Sequence, residues 1–513
     1  MLAMRLSDMA RELAGSTLIG NPDTEVNGVV CDSRVVLPGT LFVAVEGQKF
    51  DGHLYLAQAA QLGAAAVVVQ SDHEPTVRQT LVDLGLPALV VPNSRAALAI
   101  TAAAVHGHPA RSLGMIGVTG TDGKTSLCHL IDHIISRAGL KCGLITTAEC
   151  RIGARHLLDT GRFTTPEAPE LQAMLRDIAD SGCQWAVVEA TSHGLALNRL
   201  DGCEFDIAAV TVIGRDHLEF HGSPEAYVAA KGRLFEMLAE SVDKGVAKTA
   251  VLNADDEWFS SLRRHAQSAI VSYGLTESAD VRAENLRVSA WGSLVRLVTP
   301  AGSMEVEVTR PGAFSVSNAM AASAVCLAVG VTLPDIAAGI ASWPGAPGRL
   351  ERIDEGQPFT VVVDFAHAPE ALARVLDVLR DSCKGRVIAV FGCIGERERE
   401  RRSGMGAVAA AKADYTLVTD DNPYSEDSAQ VIQEIVSGLE ASGRRRGHDF
   451  EVVPDRRSAI AQGLAMAVDG DVVLLAGKGH ETFVHVGDGG YECDDRVVAR
   501  RVLKELAGSR TAS

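Results

Sequence analysis

The chain has no excess of basic residues, no paired cysteines and no long apolar run. Lys and Arg number 48 against 65 Asp and Glu, a formal charge of −17. That balance excludes a broad nucleic-acid groove, which needs a basic face. The 10 cysteines are scattered with no Cys-x-x-Cys pair, so a zinc ribbon is excluded and reduced, buried thiols in a cytoplasm are expected. No apolar run reaches the roughly 18–20 residues of a membrane-spanning helix. Residues 1–16 alternate charged and apolar side chains and are expected to form an amphipathic helix, not a signal peptide. No internal repeat is visible. What is present is an ordinary globular composition, 47% hydrophobic over 513 residues, enough for about three domains at roughly 150 residues each.

The organising stretch is Val118-Thr119-Gly120-Thr121-Asp122-Gly123-Lys124-Thr125-Ser126. An apolar run, 113–118, precedes it and reads as a buried strand. Leu127, Leu130, Ile131, Ile134 and Ile135 follow at helical spacing. Strand, glycine turn and helix are what a phosphate-binding loop requires. Glycines let the backbone approach, helix N-terminal amides face the anion, lysine adds charge, and a hydroxyl such as that of Thr125 can ligate Mg2+. The usual first glycine of the motif is here Val118, and the glycines fall at 117, 120 and 123. The chain is therefore expected to bind a nucleoside triphosphate.

Residues 1–108 alternate strands and helices without a nucleotide fingerprint, and serve either to hold a polar ligand or as a structural lid. Residues 109–343 carry the phosphate loop, a strand Trp185–Glu189 ending in a carboxylate, and a strand 208–212 leading to Asp216-His217. Carboxylate and imidazole at the C-terminal ends of neighbouring strands suit Mg2+ chemistry in an open sheet. Each taken alone reads better as a loop polar residue capping a helix; together with Thr125 they make a set suited to Mg2+ beside the phosphates. Residues 344–513 show four more strands separated by helices, a dinucleotide-fold-like parallel pattern, with polar strand ends including His367, Arg397, Asp421, Asn422, Lys478, His480 and Glu481. The charge run 396–402 is expected mainly as a solvated helix face.

Gly120 to Thr125, Glu189 to Gly194, Asp216-His217, Asp364-Phe365-Ala366-His367, Thr419 to Pro423 and Ala476 to Glu481 together resemble the Mur ligases, and among them the tripeptide synthetases. So do Asp32-Ser33-Arg34 and Pro38 to Ala44. The resemblance spans nearly the whole chain. It implies an α/β protein of three domains: an N-terminal UDP-sugar-binding unit (1–108), a central P-loop ATPase-like parallel sheet (109–343) and a C-terminal Rossmann-like domain (344–513). It implies ATP-dependent amide formation on UDP-N-acetylmuramoyl-L-alanyl-D-glutamate through an acyl phosphate, in a cytoplasmic monomer. Lys124, Lys231, His217 and Glu189 would be catalytic. Gly120, Thr121, Asp122, Gly123, Lys124, Thr125, Ser126, Asn318, Arg349 and Asp364 would hold ATP. Thr125, Glu189, His217 and Lys231 would hold Mg2+, the lysine as a carbamate; otherwise Lys231 is an ordinary surface lysine. Cys31, Ser33, Gln48, Lys49, Phe50, Thr164, Thr165, Thr191 and Arg199 would hold the UDP-sugar and its peptide. Arg397, Asp421, Asn422, Tyr424, Gly477 and Glu481 would hold the incoming amino acid.

Two departures stand out. Leu197 occupies a place that is often glutamine in the family. Members that add meso-diaminopimelate carry Asp-Asn-Pro-Arg, and this chain has Asp421-Asn422-Pro423-Tyr424. An arginine fork suits a second carboxylate, whereas a tyrosine offers one hydroxyl. Lysine, ornithine and diaminopimelate all stay open, with Arg399, Arg401 and Arg402 as arginines that could reach in. A folylpolyglutamate-type ligase would lack the Asp32-Ser33-Arg34 unit. An inactive paralogue would not need the Lys124, Glu189, His217 and Lys231 set. A mechanical ATPase would need coupling domains.

Overall fold

The computed structural model describes residues 3–47, 50–157, 164–289, 291–396, 399–487 and 489–511. The chain divides into two compact units. One comprises Met1–Asn285, Val295–Val306 and Val316–Ala341; the other comprises Leu286–Leu294, Glu307–Ser315 and Ser342–Ser513.

The first unit holds two large sheets and a two-stranded pair, Met4–Arg5 with Glu25–Val26. The smaller runs Thr17–Ile19, Ala88–Val91, Ala66–Gln70, Thr40–Val43, Gly28–Val30, parallel except for the first pair. Its inner strands Thr40–Val43, Ala66–Gln70 and Ala88–Val91 are short apolar runs largely buried on both faces, as parallel strands covered by helices must be. The expected N-terminal helix is shorter than the alternating stretch: Met4–Arg5 pairs as a strand and the helix is Leu6–Glu12. The helix Glu74–Leu84 and the edge strand Thr17–Ile19 were not evident from periodicity.

In the larger sheet, seven parallel strands lie in the order Cys142–Ile145, Trp185–Glu189, Gly114–Thr119, Ile207–Val210, Thr249–Asn253, Ala269–Gly274, Val281–Ser289. An antiparallel hairpin, Cys150–Ile152 and Arg155–Leu157, extends the edge at Cys142–Ile145. The phosphate-loop strand Gly114–Thr119 is therefore central. It lies between the strand that ends at Glu189 and the strand that leads to His217. Such a switch in strand order opens a crevice at the carboxyl ends.

The second unit is a six-stranded sheet ordered Glu351–Ile353, Thr360–Asp364, Val472–Ala476, Val387–Phe391, Tyr415–Val418, Phe450–Val452, parallel except for the first pair. The last long strand in the chain, Val472–Ala476, inserts between two early ones. This brings its end, Gly477-Lys478, close to residues from the middle of the unit. No helix among the described residues is long and apolar enough to cross a membrane.

Candidate active site

Gly120 opens the phosphate loop at φ 142°, and a Cβ there would lie 1.9 Å from Thr211 Oγ1. Only glycine tolerates both conditions. That closeness is used: Thr211 Oγ1 donates to the Asp122 carbonyl at 2.6 Å, and Thr121 N donates to Val212 O at 2.7 Å. The neighbouring strand end thus fixes the loop, and helix Lys124–Arg137 begins directly after Gly123. Lys124 Nζ reaches the Thr121 carbonyl at 2.9 Å. Asn318 lies across the loop, its Oδ1 3.2 Å from where a Cβ on Gly123 would be.

Buried Thr125 donates to both oxygens of buried Glu189, at 3.1 and 3.0 Å. Thr147, unmarked in the sequence reading, adds its amide (3.0 Å) and hydroxyl (3.1 Å) to Glu189 Oε2. Thr147 Oγ1 also lies within hydrogen-bond distance of Thr164 Oγ1, at 3.1 Å.

Lys231 is no surface lysine. It is 1% exposed on helix Pro224–Glu240, and Nζ donates to the Gly120 carbonyl at 2.6 Å. Nζ also lies 4.5 Å from the centre of the Tyr227 ring. Burial, and next the charge of Lys124, push its amine well below the ordinary lysine range, against Asp216, Asp122 and Glu189. Tyr227 ties the same helix to the loop, its hydroxyl 2.9 Å from Thr121 Oγ1. The i, i+4 spacing of Tyr227 and Lys231 was the available signal for that role.

His217 sits at φ 53°, flanked by Asp216 (3.3 Å) and Glu219 (3.4 Å), with His193 edge-on at 4.6 Å. Burial and the neighbouring His217 and His221 lower His193 to about 4. Glu189 and His217 are not drawn into a ready cluster. Among the described residues, the three metal-capable groups that converge are Asp51, His53 and His73. There His53 Nε2 accepts the Gln70 amide at 3.1 Å, so Nδ1 carries the proton and donates to Asp51 at 2.7 Å. That is a hydrogen-bonded group with its nitrogens already used.

Residues expected to hold the UDP-sugar and peptide arm divide three ways. Gln48 and Lys49 lie outside the described residues. Ser33 is buried and donates to Gln58 at 2.9 Å, while Phe50 is exposed. Cys31 is raised to about 12, chiefly by burial and then by Glu167. Thr165 donates to the Glu189 carbonyl at 2.9 Å and pairs with Thr191, which caps helix Ser192–Ala196. Arg199 is buried between Glu167 (2.7 Å) and the Thr165 carbonyl (3.1 Å).

In the second unit, Asp364 accepts from Leu350 N and Ala366 N, both at 2.8 Å, and Arg349 lies over the Phe365 ring at 4.3 Å. Asp421, Asn422, Gly477 and Glu481 do come together. Asn422 Nδ2 donates to Glu481 Oε2 at 2.8 Å, and a Cβ on Gly477 would lie 2.6 Å from Asp421 Oδ2. Fully buried Lys478 joins them, donating to Glu481 Oε2 (2.8 Å) and the Phe483 carbonyl (2.7 Å). Arg397 lies outside the described residues. Tyr424 is held at φ 52° by its amide to the His485 carbonyl (3.2 Å) and by Gly487 N to its own carbonyl (2.7 Å), with its ring stacked on His485.

The charge run needs one correction. Arg402 is buried, not solvated, and is committed to Glu426 (2.8 and 2.9 Å) and Glu434 (2.8 Å); Arg399 lies beside the same two carboxylates. Arg402 is thereby removed as a substitute for the missing substrate arginine. Arg402 holds Glu426 down to about 2, and Glu426 in turn accepts the Glu396 amide.

Family models match three stretches: the catalytic domain of the Mur ligase family over 25–106, the Mur ligase middle domain over 118–326, and the Mur ligase glutamate ligase domain over 348–479. The chain is 45% identical to a UDP-N-acetylmuramyl-tripeptide synthetase of Roseiflexus sp. (strain RS-1), covering 98% of this chain and 99% of that one. The chain belongs to the Mur ligase family. This ligase is also 40% identical to a UDP-N-acetylmuramoyl-L-alanyl-D-glutamate–2,6-diaminopimelate ligase of Geobacillus thermodenitrificans (strain NG80-2), over 95% of this chain and 96% of that one. A solved structure of a ligase with that same printed name matches with TM-score 0.66 at 31% identity, covering 99% of this chain and 100% of that one.

Proposed function

We propose that this Mur ligase adds the third amino acid, a diamino acid, to UDP-N-acetylmuramoyl-L-alanyl-D-glutamate at the expense of ATP, in peptidoglycan precursor synthesis. The observation that carries the reading is the buried amine of Lys231, 2.6 Å from the carbonyl of Gly120 in a phosphate loop flanked by Glu189. A carboxylate is a poor electrophile, so the dipeptide carboxylate is first phosphorylated and the amine then attacks. Residues 1–108 take the UDP-sugar, 109–343 the ATP phosphates, and 344–513 the amino acid. Lys124 and the loop amides meet the charge that develops on the transferred phosphoryl group. Asn318, Arg349 and Asp364 serve the adenine and ribose.

The donor set fits Mg2+: the Thr125 hydroxyl in the first turn of the loop's helix and the Glu189 carboxylate at a strand end are hard oxygen ligands, and the His217 imidazole at the head of helix Leu218–His221 adds a nitrogen. When bound, Mg2+ would offset repulsion between the two anions that must meet. Burial lowers the Lys231 amine well below the ordinary lysine range and so favours its neutral form, the form that combines with CO2, which supports a carbamate there. Lys231 would then carry a carboxylate at the end of its stem.

The test is phosphate release by the purified protein with UDP-dipeptide and ATP, which should require an amino acid. Absence of amino-acid dependence would end the proposal.

Specificity turns on Tyr424. With Arg402 committed to Glu426 and Glu434, the wild type should favour L-lysine or L-ornithine over meso-diaminopimelate. Tyr424→Arg should raise kcat/KM for diaminopimelate about tenfold or more, the equivalent of roughly 1.4 kcal/mol. Diaminopimelate as the preferred substrate of the wild type, with no gain in the variant, would sink this assignment. The 40% identity to a diaminopimelate ligase favours that second reading. Asp421 offers a pH signature. Burial raises it to about 6, and only its ionised form meets an ammonium as a countercharge. kcat/KM for the amino acid should therefore fall about tenfold per pH unit below that value. A flat profile between pH 5 and 7 would remove Asp421 from amine binding.

A further inference from the structure

Helix Arg456–Ala465 begins with an arginine that is fully buried, as is its partner Asp495. Arg456 Nε donates to Asp495 Oδ1 at 2.8 Å and Nη2 to Oδ2 at 2.6 Å. The guanidinium also reaches two main-chain carbonyls: Nη1 to Asp420 at 3.0 Å and Nη2 to Ala476 at 2.8 Å. These carbonyls immediately precede Asp421 and Gly477. The strands they follow, Tyr415–Val418 and Val472–Ala476, are not neighbours, because Val387–Phe391 lies between them. One side chain thus ties two loops across the end of an intervening strand. The contact it sets up is tight: at φ 104°, Gly477 comes so near that a Cβ would stand 2.6 Å from Asp421 Oδ2. Asp421 is buried, and neither of its carboxylate oxygens has a hydrogen-bond partner among the described residues. A buried carboxylate without donors is costly unless a ligand completes it.

We propose that Arg456, locked by Asp495, is a positioning residue for the incoming amino acid: it holds Asp421 against Gly477 so that the orphan carboxylate meets the ligand's ammonium group. This rests on the ligase reading above. The residue type matters, because only a planar fork serves a carboxylate and two separate carbonyls at once; lysine has a single nitrogen. A pair with a packing role alone would tolerate apolar replacement of both members. Arg456 also acts on Asp421 by charge. Burial raises the Asp421 carboxyl, Lys478 and Arg456 draw it down, and Glu481 and Asp495 push it up, with Cys393 beside it.

The test uses the full-length chain carrying Arg456→Lys, and separately the double variant Arg456→Met with Asp495→Leu. Steady-state kinetics are run with the best of L-lysine, L-ornithine and meso-diaminopimelate, alongside thermal melts. The expected result is cooperative melting, a KM for the amino acid raised tenfold or more, and KM values for ATP and UDP-dipeptide within twofold of wild type. The acid limb of kcat/KM should move to higher pH in the double variant, and less in Arg456→Lys, which keeps the charge. An unchanged KM for the amino acid overturns the proposal, as does a uniform rise in all three KM values with loss of melting temperature. Should both variants fail to fold, Asp495→Asn keeps the shape of the pair and is held to the same outcomes. A wild type with no amino-acid-dependent turnover overturns the ligase reading and this inference together; an active wild type with indifferent variants overturns this inference alone.

Discussion

Lys124→Ala is expected to lower kcat for amide formation by about 10³-fold or more, the scale of losing a preorganised cation at a transferring phosphoryl group. Lys124 sits at the first turn of helix Lys124–Arg137, half-buried, with Nζ 2.9 Å from the carbonyl of Thr121 in its own loop. That bond is local and neutral on the acceptor side, so its loss should cost stability little, within about 1 kcal/mol. The sharper consequence is electrostatic. The charge of Lys124 is the second largest influence holding the Lys231 amine low, so removing it should let Lys231 take up a proton more readily. The check is single-turnover phosphate release together with a thermal melt. A folded variant with near wild-type turnover would end the phosphate-loop assignment.

Lys231→Ala is expected to lower turnover on the order of 10²–10³-fold, comparable with the loss of one preorganised charge-stabilising group. The stem of Lys231 is buried between the Tyr227 ring and Gly120, so truncation leaves a polar-ended cavity next to the loop. A carbamate places a carboxylate at the end of that stem, and a short acid such as formate or acetate can occupy the same space. Partial rescue by such an acid is therefore expected in Lys231→Ala and not in Lys231→Met, which fills the cavity. Lowering dissolved CO2 should reduce wild-type turnover and leave both variants unaffected. Full activity in either variant would return Lys231 to an ordinary helix residue with an unusual hydrogen bond.

These two lysines show how differently the residues of one site are written into a sequence. Lys124 was legible because its determinants are local. A β-rich run, spaced glycines and an apolar 3.6-residue period specify strand, loop and helix within about twenty residues. Glu189 and Asp421 were legible in the same way, as polar residues ending apolar strands. Lys231 was found only through the family resemblance, since a lone lysine beside Arg233 on a helix reads as a surface residue until its tertiary neighbours are known. Its partner Gly120 lies 111 positions away.

The charge run 396–402 misled for the corresponding reason. Charge density argues for solvent, and among the described residues of the run Arg402 alone is buried, because Glu426 and Glu434 arrive from helix Ser428–Ala441 and the loop before it. Arg456 and Asp495 are likewise unremarkable as sequence: each opens a helix, where polar residues are ordinary. Thr147 carried no motif of its own that set it apart from other threonines, and Lys478, singled out at a strand end and within the stretch Ala476 to Glu481, had no role assigned to it.

The sequence by itself determined the α/β class, the phosphate loop, the family and most of the residues at strand ends, because strand and helix periods and loop glycines are local, steric properties of the chain. The tertiary structure alone decided which charged groups are taken out of water and what meets them there: Lys231 against Gly120, Glu189 among Thr125 and Thr147, Arg402 between two glutamates, Arg456 across two strand ends. Burial of charge depends on partners brought together by strand order, and in this protein the decisive strands, Gly114–Thr119 and Val472–Ala476, each lie between strands distant in the chain.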